Sequence, residues 1–378
     1  MTPELQGLLN SIFNLESQTS NVAGVGRVQN LVATHLSRMG FRLRYAYAEG
    51  KDAENSAPFL IAERGVRAGA QDVISLVSHA DTVDGFEHRV DVDKSGKTAV
   101  GQGVLDDKAC QVVALWGLHL FLQRHPQTQL PLRFLSSPNE EIGSAGFHKL
   151  YAELSRSSRL VLGFEPASER GEIITSRRGN RWYRVTFRGR EAHAGRAPHK
   201  GINAAYAAAR AMVKLEKLND YARGISVAVG SVSAAREAYN VVCGEVELRI
   251  DFRFEDFAGR DRVDQKIRKI LLAPERGKSS PAGLVKVSLE LVDDCPPMSA
   301  TEASRELARL YARGVSQGKA RAIASGGSAD VCFMSRPGLA VLDGLGAVGG
   351  RMHSTEEWVD LESVEIRAGA LAEFLSKI

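Results

Sequence analysis

Three apolar runs in this chain stop on a group that carries charge. DVISLVSHAD stops on His79, LPLRFLSSPNEE on Glu140 and SRLVLGFEP on Glu165. Between them lie the helical stretches DKACQVVALWGLHLFLQRH and SAGFHKLYAEL. Continuous apolar strands alternating with helices predict an α/β fold with a mainly parallel sheet sandwiched by helices. Ligands of such sheets sit beyond the carboxyl ends of the strands, and His79, Glu140 and Glu165 fall there. GLAVLDGLG near the C-terminus reads as one more buried strand, and VDLESVEIRAGALAEFLSKI as a closing helix. Near the start, VGRVQNLVATHLSRMG puts Val28, Leu31, Val32 and Leu36 on one helical face and ends at Gly40.

The middle of the chain has a different period. RWYRVTFRG, ISVAVGSVSA, EVELRIDFRF and LVKVSLELV alternate apolar and polar residues, with the helix GINAAYAAARAMVKLEKL between the first two. That pattern predicts half-buried strands in an α+β unit. At about 150 residues per domain, 378 residues call for more than one core. The expected division is a discontinuous first domain, residues 1–176 and 294–378, with a second domain, residues 177–293, inserted into it.

Bulk properties narrow the function classes. A net charge of +4 requires no anionic partner, and no apolar run approaches the roughly 20 residues that span a bilayer. MTPELQGLLNSIFNLES carries Glu4 and Glu16 and reads as an amphipathic helix rather than a leader. Cys110, Cys243, Cys295 and Cys332 are scattered without a CxxC, which suits a reducing cytoplasm. RRGNRWYRVTFRGR places six arginines between Arg177 and Arg190. One reading is a polyanion-binding strip and a non-enzymatic protein. The alternation of Tyr183, Val185 and Phe187 with Arg184, Thr186 and Arg188 favours a strand with one solvated face, and no nucleic-acid or membrane partner is expected.

The charged groups form an ordered series. His79 and Asp81 have the i, i+2 spacing that puts both on one side of an extended segment, where a carboxylate can hold the second ring nitrogen of a liganding histidine. Asp106 and Asp107 precede a helix, where acids either cap it or bind metal. Glu140 and Glu141 can divide labour, one ligating metal and the other taking a proton from metal-bound water. Glu165 ends a strand and must be exposed, paired or metal-bound. So many anions at one sheet edge would repel one another. A dinuclear cation site removes the conflict, and its carboxylate and imidazole donors suit zinc.

SHADTV, GQGVLDDK, SPNEEIGSAG, GFEP, EAHAGRAP and MHSTEEWV occur in the order seen in the M20 family of dizinc metallopeptidases, which this chain resembles from about residue 70 to its C-terminus. The resemblance implies two zinc ions per subunit, with cobalt or manganese as alternatives. His79 and Glu165 would hold one ion, Glu141 and His353 the other, and Asp106 would bridge them. Asp81 would orient His79, and Glu140 would be the general base. It also implies that the inserted domain is a ferredoxin-like lid that makes a homodimer. There His193 would reach the substrate or oxyanion of the partner's site. Asn240 and Arg253 match positions that bind a substrate carboxylate, and Gly326, Gly327 and Ser328 a glycine-rich substrate loop. Ala109 and Cys110 depart from the small glycines usual after DDK, and no proline follows Asn240. The spacing from Asn240 to Arg253 most resembles the glutamate carboxypeptidase branch, implying release of a C-terminal amino acid, an acidic one among the candidates. An N-acyl-amino-acid deacylase of the acetylornithine or succinyl-diaminopimelate type is the alternative.

Overall fold

The computed structural model describes residues 1–48, 56–85, 87, 89–93, 96–272, 284–316 and 321–378. Two compact units emerge: Met1–Arg177 with Met298–Ser325 and Ala329–Ile378, and Arg178–Pro297 with Gly326–Ser328. The expected boundary at residue 294 falls inside a strand that runs on to Cys295, pairing with Asn180, so the division lies a few residues later. The glycine-rich segment Gly326–Ser328, expected in the first domain, groups with the second unit.

In chain order the strands are β1 (Arg42–Ala46), β2 (Phe59–Arg64), β3 (Val73–His79), β4 (Asp91–Val92), β5 (Thr98–Val100), β6 (Leu132–Ser137), β7 (Ser158–Gly163), β8 (Ile173–Arg177), β9 (Gly179–Arg188), β10 (Ser226–Ala234), β11 (Glu245–Phe254), β12 (Lys286–Cys295), β13 (Ala322–Ser325), β14 (Ala340–Leu342), β15 (Gly349–Gly350) and β16 (Trp358–Asp360). The helices are α1 (Pro3–Phe13), α2 (Val22–Arg38), α3 (Cys110–Arg124), α4 (His148–Arg156), α5 (Ala204–Glu216), α6 (Phe257–Leu272), α7 (Glu302–Ser316), α8 (Val331–Met334) and α9 (Leu361–Leu375).

The first unit is built on a sheet of order β1-β2-β6-β3-β7-β14. β6, β3, β7 and β14 are parallel, while β1 and β2 add an antiparallel edge. Every residue of β3 and β6 is buried, as strands covered on both faces must be. α3 packs against α9, and their approach depends on Gly117. A Cβ there would lie 2.6 Å from Leu371 Cδ2 and 3.0 Å from the Ala368 carbonyl. Smaller sheets, β15-β16-β5-β4 and β13-β8, complete this unit.

The second unit runs β9-α5-β10-β11-α6-β12, with all its strand pairs antiparallel in the order β10-β11-β9-β12. This is the ferredoxin-like arrangement. Tyr183, Val185 and Phe187 point into a core shared with Leu248, Ile250, Ala208 and Ile267. The arginines of β9 meet acids of neighbouring strands: Arg188 pairs with Glu245 at 2.9 Å, Arg184 with Glu290 at 3.0 Å and Arg181 with Asp294 at 2.7 Å. Those cross-strand carboxylates neutralise the strip that could have bound a polyanion. No helix among the described residues is long and apolar enough to cross a membrane.

Candidate metal centre

The parallel strands end together, and their last residues define the centre. His79 closes β3 and is 1% exposed. Its Nδ1 lies 3.0 Å from the Asp81 backbone carbonyl and 3.3 Å from the Asp81 carboxylate. Its Nε2 lies 3.0 Å from Asp106 Oδ1 and 4.0 Å from Glu165 Oε1. Glu165 follows β7 directly. Asp106 sits in an irregular turn, Val104–Ala109, that leads into α3. Its backbone is extended there, with φ −102° and ψ 92°. The second Asp106 oxygen is 3.4 Å from His353 Nε2, and the same nitrogen is 3.3 Å from Glu141 Oε2. Asp106 therefore stands between two groups, His79 with Glu165 and His353 with Glu141. His353 adopts φ +61° on a half-open loop.

Asp81 does more than face His79. Fully buried, it accepts hydrogen bonds from Thr19 Oγ1 and from the backbone N–H of Glu140 and Glu141. One carboxylate thus fixes the turn that carries both glutamates. Asp107, for which the sequence leaves a helix cap or a metal ligand open, is not among the residues that the family resemblance assigns to a metal. Its side chain accepts the His79 N–H at 3.0 Å and stands with His79 and Asp106 in a group able to hold a metal ion. The adjacent acids of DDK are the signal that could have marked it. Glu357 is likewise buried and accepts backbone N–H groups of the Asp106 turn. Asp343 accepts the Glu165 N–H and a buried ion pair from Arg177 at 2.6 Å.

The electrostatics are those of crowded anions. Burial raises Glu140 well above the usual carboxyl range, and Glu165 pushes it further. Burial likewise raises Glu165, and it raises Glu141 to about 7 with help from Asp106. Asp106 goes the other way. Burial opposes its charge, but hydrogen bonds with His353 and His79 outweigh it and hold the carboxyl low. His353 is lifted to about 10 by hydrogen bonds to Asp106 and Glu141. Glu141 Oε1 and Asp107 Oδ1 are buried without a hydrogen-bond partner. A buried carboxylate oxygen with no donor is costly, and here it lies among imidazoles and other carboxylates. This donor set fits divalent zinc, which takes nitrogen and oxygen ligands of these kinds.

The remaining residues singled out in the sequence belong to the second unit. His193 is exposed in the loop after β9, and its Nδ1 accepts backbone N–H groups of Gly195 and Arg196, each at 3.2 Å. The ring proton must then sit on Nε2, making that nitrogen a donor. Asn240 pairs through its carbonyl with the Ala194 N–H. Arg253 donates from Nε to both oxygens of Asp251 at 2.9 Å and from Nη1 to Ser328 at 3.3 Å. Ser328 in turn donates to the buried Asn180, which the sequence did not mark. Gly326 and Gly327 are exposed beside Ser328.

Known proteins share both the sequence pattern and the fold. Residues 175–278 match the M20 peptidase dimerisation domain. Carboxypeptidase G2 of Pseudomonas sp. (strain RS-16) is 26% identical over 372 residues, covering 97% of this chain and 87% of the relative. Together the matches support an M20 family metallopeptidase near the carboxypeptidase G2 branch. M20 enzymes are hydrolases of amide bonds, and this chain is one of them. A succinyl-diaminopimelate desuccinylase of Acinetobacter baumannii is 24% identical, with 89% of each chain covered. A tripeptidase structure from Staphylococcus aureus superposes with a TM-score of 0.80 at 21% identity, covering 99% of this chain and 97% of that one. An M20 metallo-carboxypeptidase from Sulfolobus solfataricus gives 0.73 at 14% identity, covering 99% of each. An amide hydrolase is an enzyme, so the non-enzymatic alternative falls.

Proposed function

We propose that this M20 enzyme is a zinc-dependent carboxypeptidase that releases a C-terminal amino acid, an acidic one among the candidates, from a peptide or an N-acyl amino acid. The observation that carries the reading is the meeting of His79, Asp106, Glu141, Glu165 and His353 at the strand ends, with Glu140 beside them. His79 and Glu165 would hold one zinc, Glu141 and His353 the other, and Asp106 both. Cobalt or manganese suits the same donors. When bound, the metal ions lower the pKa of a coordinated water and polarise the scissile carbonyl.

The chain's own groups do the rest. Glu140, whose carboxyl is raised by burial, accepts the proton of the attacking water and passes it to the leaving amine. Asp81 keeps Glu140 and Glu141 in place through their backbone N–H groups. His193, with its proton on Nε2, would donate to the oxyanion in the partner subunit's site. Arg253, steadied at Nε by Asp251 and at Nη1 by Ser328, has donors left for the planar fork that a substrate carboxylate requires. Asn240 and the backbone of Gly326 and Gly327 would border the same anion. The dimerisation segment, residues 175–278, supports a homodimer. Four cysteines scattered without a CxxC suit a reducing compartment such as the cytoplasm.

The likeness to succinyl-diaminopimelate desuccinylase supports a second reading, an N-acyl-amino-acid deacylase. Both readings are tested by one panel assayed with added zinc: dipeptides and N-acyl-glutamates with free or amidated C-termini, and N-succinyl and N-acetyl diamino acids. Carboxypeptidase action predicts turnover of free C-termini and at least a tenfold loss on amidation. Preference for the succinyl or acetyl diamino acids would replace it with the deacylase reading.

A further inference from the structure

Glu357 lies four residues beyond His353 and is 1% exposed. Both of its carboxylate oxygens are committed to one stretch of backbone some 250 residues earlier in the chain. Oε1 accepts the N–H of Leu105 at 2.8 Å and of Asp106 at 2.9 Å, while Oε2 accepts the N–H of Gly103 at 3.0 Å. Its own backbone carbonyl takes the N–H of Gly101 at 2.8 Å. Next to it, Trp358 and Val359 pair with Val100 and Ala99 across β16 and β5. The helical stretch that opens at Val104 therefore has its early donors satisfied by a residue from the far end of the chain, where a local cap would ordinarily serve. Those donors belong to the turn whose extended residue is Asp106, and Asp106 is the group that faces both His79 and His353.

We propose that Glu357 is the positioning residue of this turn: it fixes the aim of Asp106 and ties it to the segment bearing His353, so that both sides of the metal centre are set by one buried carboxylate. The inference rests on the metal-centre reading given above. A plain helix cap would stabilise the fold alike with and without metal. A positioning residue must change how metal is held. Glutamine at 357 keeps the side-chain length but turns one acceptor into a donor facing another N–H. Aspartate keeps both oxygens but withdraws them by one methylene.

The test uses the full chain, stripped of metal and titrated with Co²⁺, in wild-type, Glu357→Gln and Glu357→Asp forms, with exposed Glu356→Gln as a control. Calorimetry gives the affinity and visible absorption the cobalt environment. Melting temperatures are taken with and without metal. The expected result is a roughly 10- to 100-fold weaker Co²⁺ affinity in Glu357→Gln, a changed cobalt spectrum, and a smaller rise in melting temperature on adding metal. Glu356→Gln should match wild type. If Glu357→Gln does not fold without metal, Glu357→Asp is judged by the same criteria. Wild-type affinity and spectrum in the folded variant, whatever its melting temperature, overturns the inference alone. A wild-type protein that takes up no cobalt overturns the metal-centre reading, and this inference with it.

Discussion

At the scale of single residues, the centre is a problem of charge, and its tests are charge tests. Replacing Glu140 by glutamine removes the group proposed to carry the proton while leaving the side-chain volume in place. We expect kcat to fall by about 10²- to 10⁴-fold, with bound metal unchanged by elemental analysis. Loss of metal along with activity would instead mark Glu140 as a ligand. The acid–base balance of the metal-free protein gives a second expectation. Folded Glu141 keeps its proton up to about 7, above its ordinary value of 4.5. Between those values the unfolded chain has already released its proton, so folded stability is present at low pH and is lost as pH rises. His353, raised to about 10 from 6.5, acts in the same direction over a higher window. Asp106 is shifted the opposite way, and its contribution is lost only on acidification below the ordinary carboxyl range. The chelated protein should therefore melt at progressively lower temperature from about pH 5 to pH 9, and zinc should flatten the slope. A melting temperature that climbs across that interval without metal would contradict the charge assignments.

At the scale of elements, α3 and α9 depend on a missing side chain. Alanine at Gly117 adds about 1 kcal/mol of helix propensity. Its Cβ, however, would press on Leu371 and on the Ala368 carbonyl at 3.0 Å, and a backbone carbonyl cannot rotate away. Overpacking of this kind costs about 1–3 kcal/mol, so Gly117→Ala should lower the melting temperature by a few degrees. A rise would show that the helices separate cheaply. The same scale explains what the sequence could reveal. β3, β6 and β7 were legible because strands buried on both faces are written as unbroken apolar runs, and the charged residue ending each run stands out. β1 was missed because RLRYA is mostly exposed at a sheet edge and has no such run. α6 was missed because FAGRDRVDQKIRKILL is dominated by charge. Only Val263, Ile267 and Leu271, four residues apart, reveal its buried face. In the centre itself, residues at strand ends could be read singly. Glu357 and Asp343 could not, because they act on backbone more than a hundred residues away, and in the second unit the same holds for Asn180 and its partner Ser328.

At the scale of the whole molecule, the two units have separate cores, and the candidate ligands belong to the first. Metal binding should therefore stabilise that unit selectively. At a metal concentration a thousandfold above Kd the gain is about 4 kcal/mol. Differential scanning calorimetry with zinc and with chelator should show one transition that moves and one that stays. Equal shifts in both would mean that the units unfold together. The first unit is also discontinuous, and this has a consequence for its birth on the ribosome. β14 pairs with β7, and the segment with His353 and Glu357 meets the turn at Asp106, only after the entire second unit has been made. His79 and His353 emerge roughly 270 residues apart, an interval of about 14 to 55 seconds at 5–20 residues per second. For that time the acidic strand ends stand exposed without their last partner, while the second unit, contiguous except for Gly326–Ser328, has its β-strands and both helices in hand. A nascent chain of this design completes its own scaffold last, after the middle of the chain has all it needs to fold.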